Sequence, residues 1–181
     1  MQKIKIYQAA NNKSKLETPI KSPDRKPSDP NYPWLLPGYY FWEYYIQDAE
    51  EWGRVRYKND YSVYSCEYEL NDEHCLDLVS NYKHKEFLIR IKEKLESKGE
   101  KNVTVEKLVK YLTDNRSDII CTRIESSPMS QRERECIPTP NNHYITFNPK
   151  SVQVCFYQFP NELITEDFKL EKTVNRPPIL G

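Results

Sequence analysis

LLPGYYFWEYYIQDAEEWG, residues 35–53, is the most aromatic segment of the chain and changes from strand chemistry to helix chemistry partway along. Tyr39, Tyr40, Phe41 and Trp42 suit a pleated, half-buried strand, because large flat side chains pack well on that surface. Gly38, one of three internal glycines, precedes them and reads as a backbone position that tolerates no Cβ. From Gln47 to Tyr57 the pattern becomes helical. Asp48 is the candidate N-cap, Glu50 and Glu51 suit the positive helix start, and Ala49, Trp52 and Val55 share a face.

Outward from this segment the chain alternates short strands and helices. Lys3–Tyr7 (KIKIY) alternates polar and apolar residues, which predicts a first strand. Residues 11–37 lose all periodicity and carry six of the thirteen prolines, so they read as a long loop. Tyr61–Leu70 predicts a strand with Tyr64, Cys66, Tyr68 and Leu70 on its buried face. Helices are expected over Lys85–Ser97, with Phe87, Leu88, Ile91 and Leu95 on one stripe and Gly99 as the stop, and over Thr104–Leu112. Asp118–Glu125, His143–Phe147 and Ser151–Gln158 return to strand patterning. The order is α+β, with strands at both ends and helices between them. One domain is expected over residues 1–170, followed by a tail over 171–181.

Composition narrows the function. Lys plus Arg and Asp plus Glu both total 27, and this neutral balance argues against a nucleic-acid binder, which needs clustered excess cations. Only four glycines stand against thirteen prolines, and neither a Walker loop nor a GxGxxG fingerprint is present. No apolar run approaches the ~18 residues that cross a bilayer, and the start lacks a secretory apolar core. A cytoplasmic protein is therefore expected. Cys66, Cys75, Cys121, Cys136 and Cys155 form no CxxC pair and no zinc spacing, so they read as reduced thiols, with no bound metal.

The first strand, ending IYQAA, followed by Gly38-Tyr39-Tyr40-Phe41 and then by Ala49, Trp52 and Gly53 on a helix, resembles the ADP-ribosyltransferase-fold proteins of bacteria and phages. Those open with a strand ending Tyr-His-Gly-Thr and continue with Gly-Phe-Tyr-Phe and a helix carrying Ala-x-x-Trp. The late segment KSVQVCFYQ is similar to a late strand of the same proteins. The resemblance implies two small, mostly antiparallel sheets that form a cleft for NAD. It implies a cofactor site of Tyr7, Gln8, Gly38 and Tyr40, with Gln8 at the adenosine ribose and the Tyr40 ring stacked on the nicotinamide. The family His falls on Gln8, which hydrogen-bonds but carries no charge, and the following Gly falls on Ala9.

The resemblance also implies a catalytic glutamate ahead of the late strand, where QRERE supplies Glu133 and Glu135. One carboxylate on the ribose hydroxyl would stabilise the oxocarbenium-like cation formed as the C–N bond of NAD breaks. Glu135 is the preferred position, with Glu133 two residues upstream on the same side of an extended chain. Glu125 is an alternative, and QRERE also reads as a solvated charged loop. The implied activity is transfer of ADP-ribose from NAD to a macromolecule, most simply a protein, with NAD hydrolysis when no acceptor is present. Two other classes stay open: a non-catalytic module on the same fold, and an interaction protein with a tyrosine-rich surface.

Overall fold

In the computed structural model of the protein, residues 2–12, 35–126, 135–138, 144–147, 151–158 and 168–175 are described. The order is β1 (Gln2–Asn11), β2 (Tyr39–Glu43), α1 (Ile46–Tyr57), β3 (Tyr61–Leu70), β4 (Cys75–Asp77), α2 (Tyr82–Ser97), α3 (Val105–Asn115), β5 (Cys121–Ser126), β6 (Glu135–Pro138), β7 (Tyr144–Phe147), β8 (Ser151–Phe156) and β9 (Lys169–Val174). The chain is α+β. Seven strands form one sheet in the order β4-β5-β8-β2-β1-β3-β9, and β6 pairs with β7 in a separate ribbon. Every pairing is antiparallel except β4 with β5.

The strands therefore divide seven and two, not into two comparable small sheets. The reason is β8, which inserts between β2 and β5 and so joins the N-terminal strands to the C-terminal ones. The sheet also curls. In a flat sheet the three strand spacings from β8 to β3 would span about 14 Å, yet the rings of Tyr68 and Phe156 meet edge to face at 5.5 Å between centroids. Curling brings Ile4, Ile6, Phe41, Cys66, Tyr68, Cys75, Cys121, Val154 and Phe156 into one inner core.

The three helices among the described residues lie on the outer side. The α1 helix covers Ala9, Trp42, Tyr61 and Val63, while Leu88 and Ile91 of α2 meet Leu108, Val109 and Leu112 of α3 over Leu76 and Cys155. Capping follows the sequence where it can. Asn81 accepts from the backbone N–H groups of Lys83 and His84, and Thr104 accepts from Lys107 N. Gly99, at φ +91°, ends α2 with its N–H on the Glu96 carbonyl.

Helix α1 departs from the expected pattern. Its N-cap is Tyr45, with no side-chain cap, and Asp48 is buried inside the first turn. Ala49 and Gly53 face the sheet, where a Cβ on Gly53 would lie 2.5 Å from the Tyr61 ring, while Trp52 and Val55 are exposed. Close approach to Tyr61 at Gly53 sets the rotation of the helix, and this displaces Trp52 from the core. At the other end, β9 pairs with β3 and runs past position 170, where the sequence reading began a tail. Lys169–Val174 carries no apolar alternation because, as an edge strand, nearly all of it is exposed.

Candidate functional site

Tyr7, Gln8 and Tyr40 fall on the adjacent strands β1 and β2. On β1, Tyr7 pairs with Trp42 and Ile6 with Glu43, which sets Gln8 beside the end of β2 that carries Tyr40. Gln8 is buried, and its Nε2 donates to the Tyr40 carbonyl at 3.1 Å. Tyr7 points to the opposite face of the strand, with Lys5 Nζ 5.4 Å from its ring centroid. Tyr40 pairs with Cys155 of β8 and packs against the outer core under α2 and α3. Its hydroxyl donates to the Leu36 carbonyl at 2.6 Å and accepts from Leu36 N at 3.2 Å. Burial, with the neighbouring Cys155, pushes the Tyr40 phenol far above its ordinary value.

Gly38 closes the same corner. A Cβ there would lie 2.5 Å from the Phe156 carbonyl oxygen and 2.9 Å from Cys155 Sγ, so the chain passes β8 only without a side chain. The Cys155 thiol contacts the Leu36 carbonyl, and burial pushes it up to about 12. Glu135 is placed as the first residue of β6, opposite Phe147. Glu133 lies outside the described residues. Glu125, on β5, is exposed and pairs with Val152 of β8. Gly38 and Tyr40 thus share the Cys155 corner of β8, while Gln8, continuing the inner face of Ile4 and Ile6, meets Tyr40 at its backbone carbonyl and not at its ring; Glu135 is given by its backbone position.

A second constellation escaped the sequence reading. Inside the curl, Arg123 Nε donates to both Glu43 oxygens at 2.9 and 2.8 Å, and Nη1 donates to Asp77 Oδ1 at 3.1 Å and to Ser80 Oγ at 3.0 Å. Tyr68 donates to Glu43 Oε1 at 2.6 Å. Asp77 also accepts from the backbone of Val79 and Ser80 and from the Ser80 hydroxyl, and its own N–H donates to His84 Nδ1. All three charged side chains are at most 5% exposed. Burial raises the Glu43 pKa despite the opposing pull of Arg123. For Asp77, burial pushes upward, but the Ser80 hydrogen bonds and Arg123 outweigh it and hold the carboxyl low. Arg123 is opposed by burial and raised by Glu43 and Asp77, so it stays charged. The sequence signal lay in strand parity: each charge stands two residues after an inner-core residue, Glu43 after Phe41, Asp77 after Cys75 and Arg123 after Cys121.

Tyr44 borders this cluster in a conformation rare for a side chain of its size. Its φ is +62°, and Tyr45 N donates to the Glu43 carbonyl at 2.7 Å, closing a three-residue turn. Such backbone typically costs ~1–3 kcal/mol and persists only where the surroundings fix it. Here the fixing contacts are Tyr44 N to the Lys5 carbonyl and Arg123 Nη2 to the Tyr44 hydroxyl at 3.3 Å.

Cys66, Cys75, Cys121 and Cys155 are buried and form no disulfide among the described residues. Among the described residues no His, Cys, Asp and Glu cluster could hold a metal ion, and no helix is long and apolar enough to cross a membrane. The chain matches no family model, no curated protein and no solved structure.

Proposed function

We propose that the protein is an NAD-using ADP-ribosyltransferase, with Gln8 and Tyr40 marking the dinucleotide site and Glu135 or Glu133 supplying the carboxylate. The observation that carries this reading is the bond from Gln8 Nε2 to the Tyr40 carbonyl. It joins two elements 32 residues apart. The strands of the three resembling motifs, β8, β2 and β1, are consecutive neighbours in the sheet, which supports the same reading.

In the proposed reaction the half-buried Tyr40 ring stacks on the nicotinamide and Gln8 bonds the adenosine ribose. The C–N bond between nicotinamide and ribose breaks, and nicotinamide leaves with the bonding electron pair. The glutamate carboxylate bonds the ribose hydroxyl and stabilises the positive charge on the sugar. A nucleophile of an acceptor protein, or water, then attacks the anomeric carbon and loses its proton. Incubation of the full chain with NAD should release free nicotinamide, and Glu135→Gln together with Glu133→Gln should abolish that release.

A second reading, a non-catalytic binding module on the same frame, is favoured by Gln8 itself. Its amide N–H is held by the Tyr40 carbonyl and the side chain is buried. That module would bind NAD or a partner without releasing nicotinamide.

A further inference from the structure

We infer that Cys75 and Cys121 form a redox site, a thiol pair that closes a disulfide between β4 and β5 when a small disulfide oxidant is present. The two stand opposite each other as register partners in the parallel β4–β5 pairing. Both turn to the inner core, where Cys75 is 1% exposed and Cys121 is fully enclosed. Neighbouring strands lie ~4.7–4.9 Å apart, inside the ~4.4–6.8 Å that a disulfide spans between Cα atoms. The next register pair on the same face shows that side chains reach across here. Asp77 and Arg123 are partners in the ladder, and Arg123 Nη1 lies 3.1 Å from Asp77 Oδ1.

Register and face must both agree for two cysteines to join, and neither Cys155 nor Cys66 satisfies both. Cys155 lies on β8, beside β5, but packs with Leu35 and Leu76 in the outer core, on the opposite face of the sheet. Cys66 shares the inner core but stands on β3, with β8, β2 and β1 between it and β5. The pair also lies apart from Tyr40, which packs in that outer core, so its chemistry does not depend on NAD.

Position in the fold sets when the pair reacts. Strand β4 is three residues long and lies at one edge of the sheet. In the folded chain, burial and the adjacent Cys75 hold the Cys121 thiol well above its ordinary range, and it donates to the His74 carbonyl at 3.8 Å. The thiolate is the nucleophile, so exchange takes place while β4 is detached, during folding or local opening of the edge. One cysteine loses its proton and attacks a sulfur of glutathione disulfide, releasing one reduced glutathione. The second, deprotonated in turn, attacks the mixed disulfide and releases the other. The two cysteines are oxidised and the glutathione disulfide is reduced. The loop so closed contains α2 and α3, so the bond restricts the unfolded chain across both helices and locks the edge strand in place.

The full chain is unfolded in urea with reductant, then refolded with glutathione disulfide or, in parallel, with reduced glutathione alone. Peptide mapping without reduction should find Cys75 joined to Cys121 in the first sample and both thiols open to alkylation in the second. The oxidised chain should melt about 5–15 °C higher than the reduced one. Cys121→Ala, treated alike, should show no such gain, and mapping of the parent chain decides the pairing whether or not that variant folds. The proposal fails if Cys75 or Cys121 in the oxidised sample is a free thiol, is capped by glutathione or is joined to another cysteine. It also fails if the oxidised chain melts no higher than the reduced one, or if Cys121→Ala keeps the gain.

Discussion

Arg123 and Glu43, 80 residues apart, share a three-centre hydrogen bond in the interior of the curled sheet, with Nε at 2.8 and 2.9 Å from the two carboxylate oxygens. Together with Asp77 the pair ties β2, β5 and β4 across the inner core. Removing one member leaves the others charged and without compensation, which typically costs ~3–5 kcal/mol. Arg123→Met, which strands two carboxylates, should therefore cost more stability than Tyr68→Phe, which removes one hydrogen bond to a charged group at ~1.5–3 kcal/mol. Urea unfolding of the two variants measures the difference. Equal losses would mean that the guanidinium contributes no more than a single hydrogen bond.

Gly38 gives a sharper steric test. Its missing Cβ would meet a carbonyl oxygen of β8, which cannot swing aside as a side chain can. Gly38→Ala should destabilise by ~1–3 kcal/mol, in the range of overpacked core substitutions, and lower the melting temperature by roughly 2–12 °C. An unchanged melting curve would show that the chain clears β8 more widely than this geometry allows.

The buried phenols and thiol set the alkaline limit of stability. Cys155 is pushed up to about 12 by burial, and Tyr40, Tyr68 and Tyr157 are also raised, burial being the largest cause for each. A folded-state pKa above the unfolded one adds stability below the unfolded value and loses it as pH rises through the folded value. Unfolded thiols and phenols titrate near ~8.5 and ~10, so the loss should begin above about pH 8.5 and steepen above about pH 10. Each such group contributes a slope of up to ~1.4 kcal/mol per pH unit. Urea midpoints at pH 7, 9 and 10.5 should fall in that order. A flat series would show that these groups titrate alike in both states.

The same burial should keep the thiols silent. Cys66, Cys75, Cys121 and Cys155 are at most 2% exposed, so an aromatic disulfide reagent should leave them unreacted in the folded chain and modify them in urea. Rapid native modification of Cys155, assigned by peptide mapping, would contradict its placement behind Tyr40.

Much of the frame was legible because local pattern and tertiary packing agree. Tyr61–Leu70 is a strand with the expected limits, since Cys66 and Tyr68 alternate with polar residues and meet the inner core. Helix α3 follows Thr104 and the Leu108, Val109, Leu112 stripe. Other elements left no periodic trace. Strand β4 spans only Cys75–Asp77, too short to alternate, and β9 is polar because it is an edge. The curl is legible only from contacts between β3, β4, β5 and β8. The ion cluster left only a parity signal, each charge standing two residues after an inner-core residue, and that signal does not say that the three charges meet. Gly38 could be read from sequence as a position without room for a Cβ, since so few glycines make each one informative. The engagement of Tyr40 with Leu36 could not, because a hydroxyl bonded to nearby backbone leaves no spacing signal.

That engagement changes what Tyr40 substitutions should do. Tyr40→Phe removes the group that satisfies both Leu36 N–H and C=O, so a stability loss of ~1–3 kcal/mol is expected alongside retained NAD affinity. Tyr40→Ala should weaken NAD binding by a further ten- to a hundredfold, at ~1–3 kcal/mol for a lost stacking contact. Melting curves and NAD titrations of both variants separate the two effects. If affinity follows stability alone, the ring is packing and not platform.

The central claim is that Gln8, Gly38 and Tyr40 receive NAD. Calorimetric titration of NAD into the parent chain and into Gln8→Ala addresses it most directly. The expected result is saturable binding at one site per chain, weakened in Gln8→Ala while the fold is retained. No binding heat at millimolar NAD, or binding indifferent to Gln8→Ala, would contradict it.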